Sequence, residues 1–367
     1  MKTITYIVIV IGLILGTTGC SSDDTEPNDD NNTQQAEGLI GIALQLHQNS
    51  PQGLNGLLES IDEATAIGVN LFGMAPEWQE LETTPNTFAF QDFLINPLTL
   101  LDPDETKFKN YILVLKMIDS NRKTVPLDLS GNSFDDTLLI NRFKNLIDNM
   151  AALPEINRIS HILIGNEVDG YLTTNASELN AFSVFYEQTV NHIHTKIPFV
   201  KVGTIITYNS VVENPIIFET LNPYSDFICY TYYPTDTTNP NWQMRLPTEA
   251  SSDILYMAEK AGDKPFAFTE IGYPSSAENN SSELKQSQFV ENMFETLKPF
   301  KDAGKLEFLF YHGMYDYQPD FCVEYAQSQG IDDTYLCGFM NNLGLKSYAT
   351  GQAKQSWNTF ANKLSDW

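Results

Sequence analysis

The stretch ILIGNEVDGY, residues 162–171, decides how the rest of the chain reads. Ile162, Leu163 and Ile164 suit a buried strand, yet the run delivers Asn166 and Glu167, an amide beside a carboxylate, to its own end. Burying a carboxylate without a partner is costly. A strand that ends on one places it where chemistry or a counter-charge needs it.

Working outward, the same pattern recurs. Short apolar runs appear at LIGIALQ (39–45), VNLFGMA (69–75), YILVLKMI (111–118), ISHILIG (159–165), KVGTIIT (201–207), FICYTYY (227–233), PFAFTEI (265–271) and LEFLFYHG (306–313). Segments with helical periodicity lie between them, among them 54–68, 137–150, 182–194 and 289–304, and 351–364 follows the last. Strand and helix patterns alternating every thirty to forty residues or so predict the α/β class and a single (β/α)8 TIM barrel over 38–367. An open doubly wound sheet would instead carry a Gly-rich GxGxxG first turn, which the sequence lacks.

In such a barrel the strand interiors are packing and the C-terminal strand ends build the site. The ends here carry Gln45 and His47, Trp78 and Glu80, Lys116 and Asp119, Asn166 and Glu167, Thr207 and Tyr208, Tyr230 and Tyr232, Glu270 and Tyr273, and His312. Glu167 ends the fourth run and Glu270 the seventh, so the two face each other across the mouth of an eight-strand ring. A lone Glu would more simply pair with Lys or Arg. Two at matching strand ends suit glycosidic cleavage, in which one carboxylic acid protonates the leaving oxygen and the other carboxylate acts at the anomeric carbon.

The motifs IGNEVD (164–169), CYTYYP (229–234) and FTEIGYPSS (268–276) resemble those of clan A retaining glycoside hydrolases. The resemblance implies Glu167 as acid/base, Glu270 as nucleophile, Asn166 on the substrate 2-hydroxyl, and Tyr230 or Tyr232 holding the nucleophile. Within the clan the motifs are most similar to those of plant-type and bacterial endo-β-1,3-glucanases. Two segments depart from that pattern. The eighth run, FLFYHGMYDY (308–317), offers His312, Tyr315 or Tyr317 where the clan commonly has Trp, and PEWQELETTPNTFAF (76–90) is more similar to cellulase-type or galactanase-type members.

Trp78, Tyr208, Tyr233, Trp242, Tyr273, His312, Tyr315 and Tyr317 are the further candidates for sugar contact, although aromatic residues are as readily core. Trp357, at helical spacing with Phe360 and Leu364, reads as core. His161, His192 and His194 read as structural. Lys116, Asp119 and Arg122 either line the mouth or form an ion-pair cluster.

A formal net charge of -26 excludes a phosphate-backbone partner, hence nucleic acid, and favours a neutral polysaccharide or oligosaccharide. No CxxC or HExxH pattern occurs, so neither a metal nor another cofactor is expected. Cys322 and Cys337 are expected to pair in an exported protein, closing a loop over the mouth, while Cys229 sits in an apolar run.

At the N-terminus, Lys2, the apolar YIVIVIGLIL (6–15) and the small residues after it predict a secretory signal, and Cys20 directly behind them resembles the lipobox of bacterial lipoproteins, which implies a lipoprotein signal peptide over 1–19 with lipid on Cys20. Residues 20–37 form a polar tether whose SSDD start is similar to a surface-export tag. The expectation is an outer-membrane lipoprotein at the cell surface, touching the membrane only through its lipid. A glycan-binding lipoprotein on an inactive barrel, and a transglycosylase, remain the alternatives.

Overall fold

Nine strand segments follow one another along a single parallel path in the computed structural model, which describes residues 38–239, 241–329 and 334–367. The expected signal peptide (1–19), Cys20 and the tether (20–37) lie outside the described residues. The barrel strands are the first, Ile40–Ile42, the second, Leu71–Met74, the third, Asn110–Asp119, and the fourth, Ile159–Asn166. The sixth, Ile228–Tyr232, the seventh, Phe266–Ile271, and the eighth, Leu306–Tyr311, pair onward to the first. The two ends of the path, Lys201–Gly203 and Ile205–Thr207, are consecutive in the chain and flank Thr204. They are two halves of the fifth strand, and the ring closes through it. Thr204 Oγ1 donates to Ile164 O at 2.8 Å, stitching the fourth strand to the break.

The lumen is apolar. Leu71, Ile112, Val114, Leu163, Ile205, Phe227, Cys229, Ala267 and Phe308 form one buried cluster, with Leu39 and Phe310 packed against it, so every strand contributes. Side chains on a strand alternate between faces, and these residues therefore set the inward parity of each strand. Large and small residues interlock: a Cβ at Gly41 would lie 2.2 Å from the Phe310 ring. Glycine in the first strand is what admits that phenyl group.

The opposite strand faces pack under helices, chiefly Leu54–Ala66, Thr137–Ala151, Leu179–Lys196, Glu249–Ala261, Glu283–Asp302 and Gln355–Leu364. Asp136 caps the second of these, accepting from Leu138 N and Leu139 N. The helix then buries Leu139, Phe143, Leu146 and Ile147 at the spacing of one face. Each such side chain contributes about 1.5–3 kcal/mol by leaving water. The helix expected from 289 begins earlier, at Glu283, because the Ser282 hydroxyl accepts from Lys285 N. Trp357 is buried, as its spacing predicted.

Beyond the eighth strand, helices Pro319–Gln329 and Thr334–Met340 are joined by the Cys322–Cys337 disulfide, which spans a separation of 15 residues. Cys229 is free and buried in the lumen.

Candidate active site

In the fourth strand the inward series runs His161, Leu163, Gly165, Glu167. Gly165 has φ 82° and Glu167 has φ 45°, ψ 48°. The left-handed region suits glycine but is strained for glutamate, and such strain concentrates where a side chain must be aimed. Val168 follows so tightly that a Cβ at Gly165 would lie 2.3 Å from its Cγ1.

The turn presents the Glu167 carboxyl to two hydroxyls. Ser120 Oγ donates to Oε2 at 2.7 Å, and Thr231 Oγ1 donates to Oε1 at 2.8 Å. Ser120 is itself left-handed, φ 53°, and its N–H donates to Asn166 O at 2.9 Å. A Cβ at Gly170 would lie 2.6 Å from Ser120 O, so glycine there permits the approach. Burial, and then the negative charge of Glu270, raise the Glu167 pKa above the ordinary carboxylate range.

Glu270 lies in the seventh strand, paired with Thr231 of the sixth across a register shift. Thr231 thus stands between the acids: its backbone pairs with one and its hydroxyl holds the other. Tyr233 donates to Glu270 Oε2 at 2.7 Å, and His312 Nδ1 lies 3.8 Å from the same oxygen. Burial lowers the His312 pKa to about 4, so at neutral pH the ring is uncharged. Its Nε2 is 2.7 Å from the Tyr317 hydroxyl. Burial raises Glu270 as well, opposed by the Tyr233 bond. Both acids are thus raised by burial, and the negative charge of Glu270 adds to the rise at Glu167.

Asn166 Nδ2 donates to Asp119 Oδ1 at 3.0 Å. Asp119 Oδ2 lies 3.2 Å from both Lys116 Nζ and Arg122, and Arg122 reaches Glu77 Oε1 at 3.0 Å. The cluster after the third strand is therefore an ion-pair network, and its far end fixes Asn166 beside the acid. Glu80, its pKa raised chiefly by burial, accepts from Glu77 N at 2.9 Å rather than standing in the mouth.

Several expected contacts are corrected. Tyr230 and Tyr232 belong to the outward parity of the sixth strand and do not hold Glu270. Tyr230 donates to Met257 O at 3.0 Å and Tyr232 to Asp253 Oδ2 at 2.7 Å, both on helix Glu249–Ala261. Tyr233 is the residue that bonds the seventh-strand carboxylate. Tyr208 donates to Asp253 Oδ1 at 2.7 Å, sharing that partner with Tyr232.

Trp78 is fully buried edge-on against Phe143, and its indole N–H donates to Glu82 Oε2 at 2.9 Å. A reciprocal cap between Glu77 and Glu80 starts a short helix there and turns the ring inward. Tyr273 is stacked on Phe289 and donates to Arg245 O. Trp78, Tyr230, Tyr232 and Tyr273 are fully buried and offer no ring face to a sugar, while half-buried Tyr208 is tied to Asp253. His312 does reach the site, and half-buried Trp242 joins its edge, sharing the Phe339 ring with Tyr233.

No protein-family model matches the chain, and no curated protein does. Solved structures do. A GH5_18 protein of Bifidobacterium longum subsp. longum, crystallised with Manb1-4GlcNAc, aligns over 90% of this chain and 78% of its own at 14% identity and a TM-score of 0.66. An exo-beta-1,4-mannosidase of Opitutaceae bacterium strain TAV5 aligns over 90% and 59% at 14% identity, TM-score 0.63. The Ignisphaera aggregans GH53 catalytic domain aligns over 89% and 95% at 15% identity, TM-score 0.58. At such identities the likeness is one of fold, and that fold is the TIM barrel.

Proposed function

We propose that the protein is a retaining glycoside hydrolase that cleaves a neutral β-linked glycan by double displacement, with Glu270 as nucleophile and Glu167 as acid/base. One observation carries this reading. Two carboxyls end facing barrel strands, bonded among the described residues by the hydroxyls of Ser120, Thr231 and Tyr233, and burial with the Glu270 charge raises Glu167, which suits it to hold a proton. Glu167 gives that proton to the leaving oxygen while Glu270 attacks the anomeric carbon. Esterification removes the Glu270 charge, the Glu167 pKa falls, and Glu167 then takes a proton from the entering water. Asn166, clamped by Asp119, is placed for the 2-hydroxyl.

For the substrate, the sequence motifs favour β-1,3-glucan, while the Manb1-4GlcNAc complex and the mannosidase among the structural neighbours favour β-mannosides. A panel of laminarin, mixed-linkage glucan, β-mannan, galactan and Manb1-4GlcNAc, read by product analysis, separates them. Proton NMR of the first product tests the mechanism: an anomer inverted before mutarotation removes Glu270 as nucleophile, and no cleavage of any member removes the reading. Glu167→Ala is expected to spare activated aryl glycosides, whose leaving group needs no proton.

The N-terminal segment supports placing this activity at the cell surface through lipid on Cys20. Cys20→Ala is expected to release or misprocess the protein, and full surface anchoring of that variant overturns the placement.

A further inference from the structure

An acid/base residue must be kept in place both with and without its proton, because each turnover takes it through both states. The partners of Glu167 meet that demand. Both carboxyl oxygens are bonded by neutral hydroxyls, Ser120 Oγ at 2.7 Å and Thr231 Oγ1 at 2.8 Å. A hydroxyl carries one donor and two acceptor lone pairs and rotates freely between the roles. Lysine, arginine or a backbone N–H can only donate, and would hold the anion alone.

The backbone has been bent to bring these hydroxyls in. Ser120 adopts φ 53° against the close face of Gly170, and Thr231 follows the register shift between Tyr230 and Thr231. Resting on the function proposed above, we propose that Ser120 and Thr231 are positioning residues that keep Glu167 aimed in both of its protonation states. In the resting enzyme one hydroxyl accepts from the Glu167 acid proton. On substrate binding that proton goes to the glycosidic oxygen as the C–O bond breaks and the Glu270–carbon bond forms. Both hydroxyls then donate to the carboxylate until water returns a proton and its hydroxide takes the sugar from Glu270.

The groups whose charge or ionisation bears on Glu167 come from several elements. They are Glu270 in the seventh strand, Asp169 just beyond Glu167 itself, Tyr233 after the sixth strand and Tyr325 in helix Pro319–Gln329. Ser120 and Thr231 act against that background of negative charge. Because each donates to the anion, removing either raises the Glu167 pKa further.

The test uses the full chain with ¹³C-labelled glutamate carboxyls, Glu167 being assigned by its loss in Glu167→Gln. In Thr231→Val and Ser120→Ala the Glu167 midpoint is expected to rise by about half a unit to one unit. On a glycan substrate kcat is expected to fall roughly tenfold with KM nearly constant. An activated aryl glycoside is expected to lose little, and Thr231→Ser is expected to restore both midpoint and rate. A midpoint that stays or falls overturns the assignment, as does equal loss on both substrates without rescue by serine. If Ser120→Ala does not fold, the near-isosteric Thr231→Val decides alone. A parent chain that cleaves no glycoside overturns the proposed function, and the NMR midpoint still decides this inference.

Discussion

The two ends of the barrel hold their acids in opposite ways. At the closed end, Glu307 in the eighth strand is held by cationic or protonatable nitrogens: Lys201 Nζ reaches it at 2.6 Å and His161 Nε2 at 3.2 Å. Those bonds outweigh its burial and hold its pKa below the ordinary value. At the mouth, Glu167 and Glu270 are held by Ser120, Thr231, Tyr233 and an uncharged His312, and both rise. One barrel thus carries one acid fixed as an anion and two left able to take a proton. Burial alone does not make a carboxyl reactive; burial without a cation does.

The largest effect expected from disturbing the mouth comes from Glu270→Ala, which should abolish turnover on every substrate, a loss of about four or more decades in kcat if Glu270 is the nucleophile. Residual activity equal on glycan and aryl glycoside would break the comparison at its centre. Tyr233→Phe removes the hydroxyl that donates to Glu270 Oε2 and should cost about 10²-fold in kcat. Tyr230→Phe and Tyr232→Phe should leave kcat within about threefold and affect stability by roughly 1 kcal/mol. Steady-state kinetics on the three variants would decide whether inward parity or mere proximity in sequence identifies the holding tyrosine.

Stability against pH separates the two ends by sign. A carboxyl raised in the folded state leaves folding progressively less favourable as pH climbs above the unfolded value, near 4.5, until its folded pKa is passed. Glu167→Gln should therefore be more stable than the parent by about 2 kcal/mol at pH 7, with no gain at pH 4. Glu307 is lowered, so its contribution is present above about 4.5 and lost as pH falls through its folded pKa. Glu307→Gln should lose about 1 kcal/mol at neutral pH and little in strong acid, because it removes the carboxylate from buried His161 and from the more exposed Lys201. Denaturant titrations across pH check both, and equal signs would erase the contrast.

The smallest effect belongs to the rim. Opening the Cys322–Cys337 bridge, by Cys337→Ser or by reductant, should raise KM a few-fold and leave kcat near the parent value, because helix Pro319–Gln329 carries Tyr325 beside the acids while the barrel stands without it.

Much of this was legible in the sequence because barrels write their period openly. Each of the eight apolar runs contains a strand, and Glu167 and Glu270 fall at the ends of the fourth and seventh. What went astray was parity. Tyr230, Tyr232 and Tyr233 look interchangeable in CYTYYP, yet Phe227 and Cys229 face the lumen, so Thr231 and Tyr233 continue that face. The apolar identity of the inward residues was the available signal. Trp78 was misplaced for a local reason: glutamates at 77 and 80, three apart, cap a helical turn that carries the indole away from the mouth. Ser120 could not have been found from pattern, since its part depends on a left-handed turn in a residue that usually avoids one.

Phe310 has a consequence for protons. Its ring lies across the glycine of the first strand, two residues before His312, and packs against the apolar lumen. The way from the mouth to the Glu307–His161 pair therefore runs past hydrocarbon, with Cys229 Sγ donating to Thr269 Oγ1 as a neutral protic pair within it. Under the proposed function, a glycan covering the mouth would leave the proton given to the first product to be replaced from whatever molecule enters next. Water entering gives hydrolysis and a sugar hydroxyl gives transfer. The choice between them is then a matter of admission at the rim and not of chemistry at Glu167.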